Sequence, residues 1–145
     1  MHAAQEQIKN ILTTLARANP AHYQIQPATA LARQQFVVHA TAHGVPPAVI
    51  AQLLDLYAVA DSFSYEMTLG FFPCGDEILY EWWAADKELW LSQRHYETIR
   101  WAGGKFCVGD ASNVSFDAAH EYDTLLELLV GCATRIKAAE AESAD

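Results

Sequence analysis

Apolar residues in the first part of the chain recur with a helical period. Ile8, Ile11, Leu12 and Leu15 stand at i, i+3, i+4 and i+7, which makes one stripe along a helix from Ala3 to Ala18. Asn19-Pro20 closes it, because the residue before a proline is pushed out of the α region. A second helix is predicted from near Pro27, a residue type tolerated in a first turn. It carries Leu31, Phe36, Val37 and Val38, and Gly44 stops it. Pro46-Pro47 opens a third, in which Val49, Ile50, Leu53, Leu54 and Tyr57 keep helical spacing as far as Asp61-Ser62.

The pattern changes after Ser62. Aromatics crowd into Phe63 to Trp101, and Pro73, Gly75, Gly103 and Gly104 punctuate strands and turns. Ile78 to Trp83 is a strand candidate, and Glu88 to Leu91 is a second, with Ala84 to Lys87 as the turn between them. Tyr96 to Trp101 is a third, and Gly103-Gly104 is a tight connection to a fourth at Lys105 to Val108. Links this short impose antiparallel pairing, since parallel neighbours need a crossover of about a dozen residues or more. A closing helix takes its cap and first turn from Asp117 to His120 and its buried face from Leu125, Leu126, Leu128 and Leu129. The tail from Ala138 to Asp145 is expected to fray. The sum is an α+β fold, an antiparallel meander sheet with helices packed on one face. There is no internal repeat or linker, so 1–145 reads as one domain.

Composition narrows the class. A chain of 145 residues buries about 68–70% of its unfolded surface and needs no disulfide or metal staple. No apolar run reaches the ~18 residues of a membrane span, and Met-His-Ala-Ala-Gln-Glu lacks the basic and apolar segments of a signal peptide, so the expected location is cytoplasmic. Cys74, Cys107 and Cys132 are isolated, with no C-x-x-C pair for zinc or redox chemistry. The Asn113-Val114-Ser115 sequon would stay unmodified in such a compartment. A formal charge of −9 argues against nucleic acid, whose phosphates demand clustered Lys and Arg, and suits attraction to a basic protein.

Four constellations bear on chemistry. His39 and His43 are four apart on one helical face, but Ala40-Thr41-Ala42 supplies no glutamate base and no third ligand stands nearby. The pair reads as helix C-terminal histidines. Gly103-Gly104-Lys105 lacks the first glycine and the Ser/Thr of a phosphate loop, which leaves a hairpin turn. Cys107, His95 and Asp110 include the residue types of a nucleophile, base and orienter, yet Cys107 lies between Phe106 and Val108 in a buried strand. Asp76, Glu77, Glu81, Asp86 and Glu88 lack calcium-loop spacing and read as a solvated acidic face. No metal, cofactor or catalytic set is assigned.

The aromatic-acidic strands are more informative. Adjacent Trp82 and Trp83 must point to opposite faces of a strand, so both cannot enter one core. In a hairpin turning at Ala84 to Lys87, the residues Glu81, Trp83, Glu88 and Trp90 would share one sheet face, unless loops or a helix cover it. Exposed tryptophans rimmed by carboxylates are what a protein-binding patch requires.

From Val45-Pro46-Pro47-Ala48-Val49-Ile50, through Leu53-Leu54 and Tyr57, the chain resembles the opening of the Smi1/Knr4 (SUKH) superfamily. The resemblance runs on through the Trp-bearing strands to Lys105-Phe106-Cys107-Val108-Gly109-Asp110, the Ala111-Ser112-Asn113 loop and the helix from Tyr122 to Leu129. Asp61-Ser62 departs from the family's usual Asn-Gly turn, and residues 1–44 stand outside the match as an N-terminal helical extension. The resemblance implies a non-catalytic protein-binding domain. Bacterial members are similar to immunity proteins that neutralise polymorphic toxins, often nucleases, and fungal members to scaffold regulators. Such a role implies a basic toxin domain as partner. The alternative is a small-molecule-binding domain or enzyme using the His39/His43 face or the Cys107–Asp110 loop.

Overall fold

The computed structural model describes residues 3–19, 21–23, 25–66, 69–81, 83–92, 97–110 and 118–143. Trp82, His95, Tyr96, Asp117 and the 111–113 loop fall outside that set. The helical stripe becomes α1 (Ala3–Ala16), which buries Ile8, Leu12 and Leu15. Helix α2 (Ala30–Ala42) starts later than Pro27, because the Thr29 hydroxyl accepts the Ala32 N–H at 3.1 Å and caps the first turn. Helix α3 (Pro47–Val59) does begin on its proline and buries Val49, Ile50, Leu53, Leu56, Tyr57 and Val59. It packs against both α1 and α2.

A short antiparallel hairpin follows, β1 (Phe63–Tyr65) with β2 (Leu69–Phe71), burying Phe63, Tyr65, Leu69 and Phe71. The strand expected over Ile78 to Trp83 does not form. Glu77–Tyr80 is a 3-10 helix, and Trp83–Asp86 is a one-turn helix, α4. The Asp76 carboxylate accepts the Ile78 N–H at 3.0 Å and starts a helical turn where the run of apolar residues reads as strand. Only Leu79 of that turn is fully buried. Lys87, at φ 56°, then redirects the chain after α4, so 84–87 is not a hairpin turn either.

The main sheet is an antiparallel meander of β3 (Leu89–Trp90), β4 (Glu97–Ala102), β5 (Lys105–Asp110) and β6 (Ala118–Tyr122), in that spatial order. Gly103 and Gly104 turn between β4 and β5 with φ of 60° and 81°, the left-handed pair a two-residue hairpin requires. Residues 118–120 belong to β6 rather than to a helix cap, since Ala118 and His120 pair with Gly109 and Val108 of β5 on either side of a register shift. Helix α5 (Leu125–Ser143) starts instead at Thr124, whose hydroxyl accepts the Glu127 N–H, while Gln52 Oε1 takes the Leu125 N–H at 2.8 Å. It continues through 138–143, where fraying was expected, and the Tyr65 hydroxyl donates to Glu140 there.

The register assigns the two faces. Leu89, Trp101, Phe106 and Tyr122 make one rung across the four strands, and Trp90, Arg100, Cys107 and Glu121 make the rung on the opposite face. The first face joins Ile99 and Val108 in a core cluster with α1, α2, α3 and α5, to which residues 1–44 contribute Ile8, Leu12 and Phe36. The expected α+β class is the observed one. Among the described residues, no helix is long and apolar enough to cross a membrane.

Candidate functional site

Loss of the 78–83 strand separates the four residues expected on one sheet face. Trp83 is buried at 5% exposure, stacks on Trp101 at 6.0 Å between centroids, and donates from Nε1 to the His43 carbonyl. It ties the end of α2 to the sheet and belongs to the core. Glu88 and Trp90 do come together on the opposite sheet face. Glu88 bonds Arg100 at 2.6 Å and accepts the Trp90 Nε1–H at 3.1 Å, and the Arg100 guanidinium lies 5.5 Å from the Trp90 ring centroid. Glu81 stands apart from all three, exposed just after the 3-10 helix.

Glu81 instead joins a cleft of about 640 Å³ between α2 and the 74–81 segment, within the size range of ligand pockets. Gln35, His39 and His43 stand on the α2 wall, with Phe36 beside them. The i, i+4 spacing predicted for the histidines does place them along one wall. His43 is held firmly, with Nδ1 2.7 Å from the His39 carbonyl and its ring stacked on Tyr80 at 4.4 Å and 12°. Its backbone end is equally fixed. Gly44, at φ 78°, donates to the Thr41 carbonyl and Val45 to the Ala40 carbonyl, the paired bonds of a Schellman stop.

Glu77 and Glu81 are exposed on the facing wall, four residues apart, and among the described residues neither is ion-paired. Asp76 spends one carboxylate oxygen on its capping bond. Deeper in, the Tyr80 hydroxyl is buried with no hydrogen-bond partner among the described residues, and burial raises its pKa well above the tyrosine norm. Cys74 is buried beside it, and its thiol is pushed up to about 12 by burial and then by Asp61. That thiol stays protonated and is no nucleophile near neutral pH.

Cys107 lies on the opposite sheet face, in β5 rather than in a loop. Burial and then Glu121 raise its pKa, with Arg100 opposing. His95, its expected base, is outside the described residues, as is the side chain of Asp110. Among the described residues, no three His, Cys, Asp or Glu side chains converge to hold a metal ion.

Two features went unmarked in the sequence. The cleft depends on Glu77–Tyr80 being a 3-10 helix, which the apolar run disguised. The second feature was readable from spacing: Leu31 and Val38, seven apart, fall off the buried Phe36/Ala40 stripe and stand 63% and 67% exposed. On the helical wheel their strip borders Gln35, and His39 comes next, so the apolar ridge continues from the lip of the cleft. No family model matches the chain, and no curated protein or solved structure was found similar to it.

Proposed function

We propose that this chain is a non-catalytic protein-binding domain that meets its partner through α2, acting in the cytoplasm as an immunity protein of the Smi1/Knr4 (SUKH) kind. The observation that carries the reading is the ridge of Leu31 and Val38. One exposed aliphatic residue is ordinary, but two stand on one strip of a single helix beside a cleft, two turns apart across Gln34 and Gln35, where one partner segment can engage both. The charge of −9 supports a basic partner such as a nuclease-type toxin domain. The patch of Glu81, Trp83, Glu88 and Trp90 loses Trp83 to the core, which leaves Glu88 and Trp90 as a secondary contact at most. The cleft at the His39/His43 face favours a second reading, a small-molecule site.

The test is co-expression with a toxin domain encoded beside this chain. The expected result is a stable complex and restored growth, both lost in the Leu31→Asp/Val38→Asp double variant while its circular dichroism and melting temperature are unchanged. Undiminished binding by that variant refutes the α2 reading. A chain that binds no such toxin but is stabilised by a small metabolite supports the second.

A further inference from the structure

Resting on that reading, we infer that the cleft receives a lysine or arginine side chain from the partner segment that lies along the Leu31/Val38 ridge. Each part of a basic side chain meets its complement. Ile78, half-buried on the facing wall, offers an apolar surface for the aliphatic stem, which long basic residues bury readily. The His43 ring is stacked on Tyr80 and covers one of its faces, and a cation on the tyrosine face turned away from His43 is attracted by the ring quadrupole. Glu77 and Glu81 place two carboxylates on the facing wall, and among the described residues no lysine or arginine lines the cleft. The Tyr80 hydroxyl adds a buried polar group with no partner among the described residues.

A free polyamine shares this cation chemistry, but it would leave the adjoining ridge bare. Leu31 and Val38 begin one helical strip beyond Gln35 at the lip, so a chain segment with a basic residue near an apolar one covers both surfaces at once. Continuity of ridge and cleft therefore favours a peptide segment over a small cation.

The probe is a synthetic amphipathic helical peptide with arginines flanking a leucine stripe, titrated into the ¹⁵N-labelled full chain at low salt. Spermine and the same peptide with serine in place of leucine serve as comparisons. Saturable shifts are expected at Gln35, His39, His43, Glu77 and Glu81. The Glu77→Gln/Glu81→Gln double variant is expected to weaken Kd about tenfold, and the serine peptide to bind more weakly than the leucine one. Glu6→Gln, an exposed carboxylate on α1, should change nothing. Absent or unsaturable shifts overturn the inference, as does equal binding of spermine or an unaffected double variant. The toxin complex separates the two levels. If Glu77→Gln/Glu81→Gln leaves it intact while Leu31→Asp/Val38→Asp abolishes it, the cleft inference fails and the α2 reading stands. If neither variant matters, both fail.

Discussion

Helices α2 and α3 are equal in length, 13 residues each, yet they sit in the fold very differently. Helix α3 buries six side chains, because α1 lies on one side of it and α2 on another. Helix α2 buries only Phe36 and Ala40, with Phe36 meeting Tyr57 of α3 edge-on at 5.2 Å. One helix is enclosed by the fold, while the other is attached along a single edge. A helix held by one edge keeps most of its surface for something else, and on α2 that surface carries aliphatic residues and histidines. The difference separates residues whose identity is set by packing from residues whose identity packing does not explain.

The sharpest way to break this contrast is a cavity on α3. Leu53 is 0% exposed, so Leu53→Ala should destabilise the chain by about 2–5 kcal/mol, read from urea denaturation. A loss under about 1 kcal/mol would mean that α3 is not the central helix described.

Next in size is the tie between the core hairpin and the far end of α5. Tyr65→Phe removes the hydrogen bond to Glu140 and should cost about 1–2 kcal/mol at neutral pH. The tyrosine is raised from an ordinary 10.0 to about 12, by that bond first and burial second. A raised folded pKa means the folded state holds the proton more tightly. Its stabilisation is complete below pH 10 and is lost as pH rises through about 12. Alkaline titration of stability should therefore fall less steeply between those values in Tyr65→Phe than in the parent. Parallel curves would show that the residue does not carry the effect.

A smaller effect belongs to the stop of α2. Gly44 sits at φ 78° with open space where a Cβ would point, so Gly44→Ala meets backbone strain without a clash. The expected cost is about 1 kcal/mol. Because His43 is placed by this stop, its ring contact with Tyr80 should loosen as well, visible as altered ring-current shifts.

Legibility in the sequence followed locality. The stripe of α1, the Pro47 start of α3, the glycine turn at 103–104 and the antiparallel order of β3, β4 and β5 rest on near-neighbour chemistry. All of them appear as expected. Ile78 to Trp83 misled because aromatic and β-branched residues fit a strand or a buried turn equally well. The capping carboxylate of Asp76, two residues ahead, tipped the balance. Residues 118–120 misled in the other direction, since the residues from Asp117 to His120 also suit a helix cap and first turn, and pairing with the preceding strand β5 leaves no mark on the periodicity. The site suffered most from the first of these. Glu81 and Trp83 were assigned to a hairpin, when the same carboxylate lines a cleft against His39 and His43 and the same indole is core.

The smallest expected change is the one that most directly tests what α2 is for. Leu31→Ser and Val38→Ser each remove an aliphatic side chain that is more than half exposed, at 63% and 67%. Neither opens a cavity, because Phe36 and Ala40 hold the buried stripe, and serine costs a helix interior only about half a kcal/mol. The stability of each variant should stay within about 0.5 kcal/mol of the parent, far from the loss at Leu53. Solubility at high concentration should rise, since an exposed apolar strip favours self-association. Dynamic light scattering read beside the melting temperature checks both statements. If Val38→Ser melts several degrees lower, the side chain is part of the packing and α2 resembles α3 after all. If it leaves melting untouched and abolishes complex formation, packing and recognition are carried by different faces of one helix.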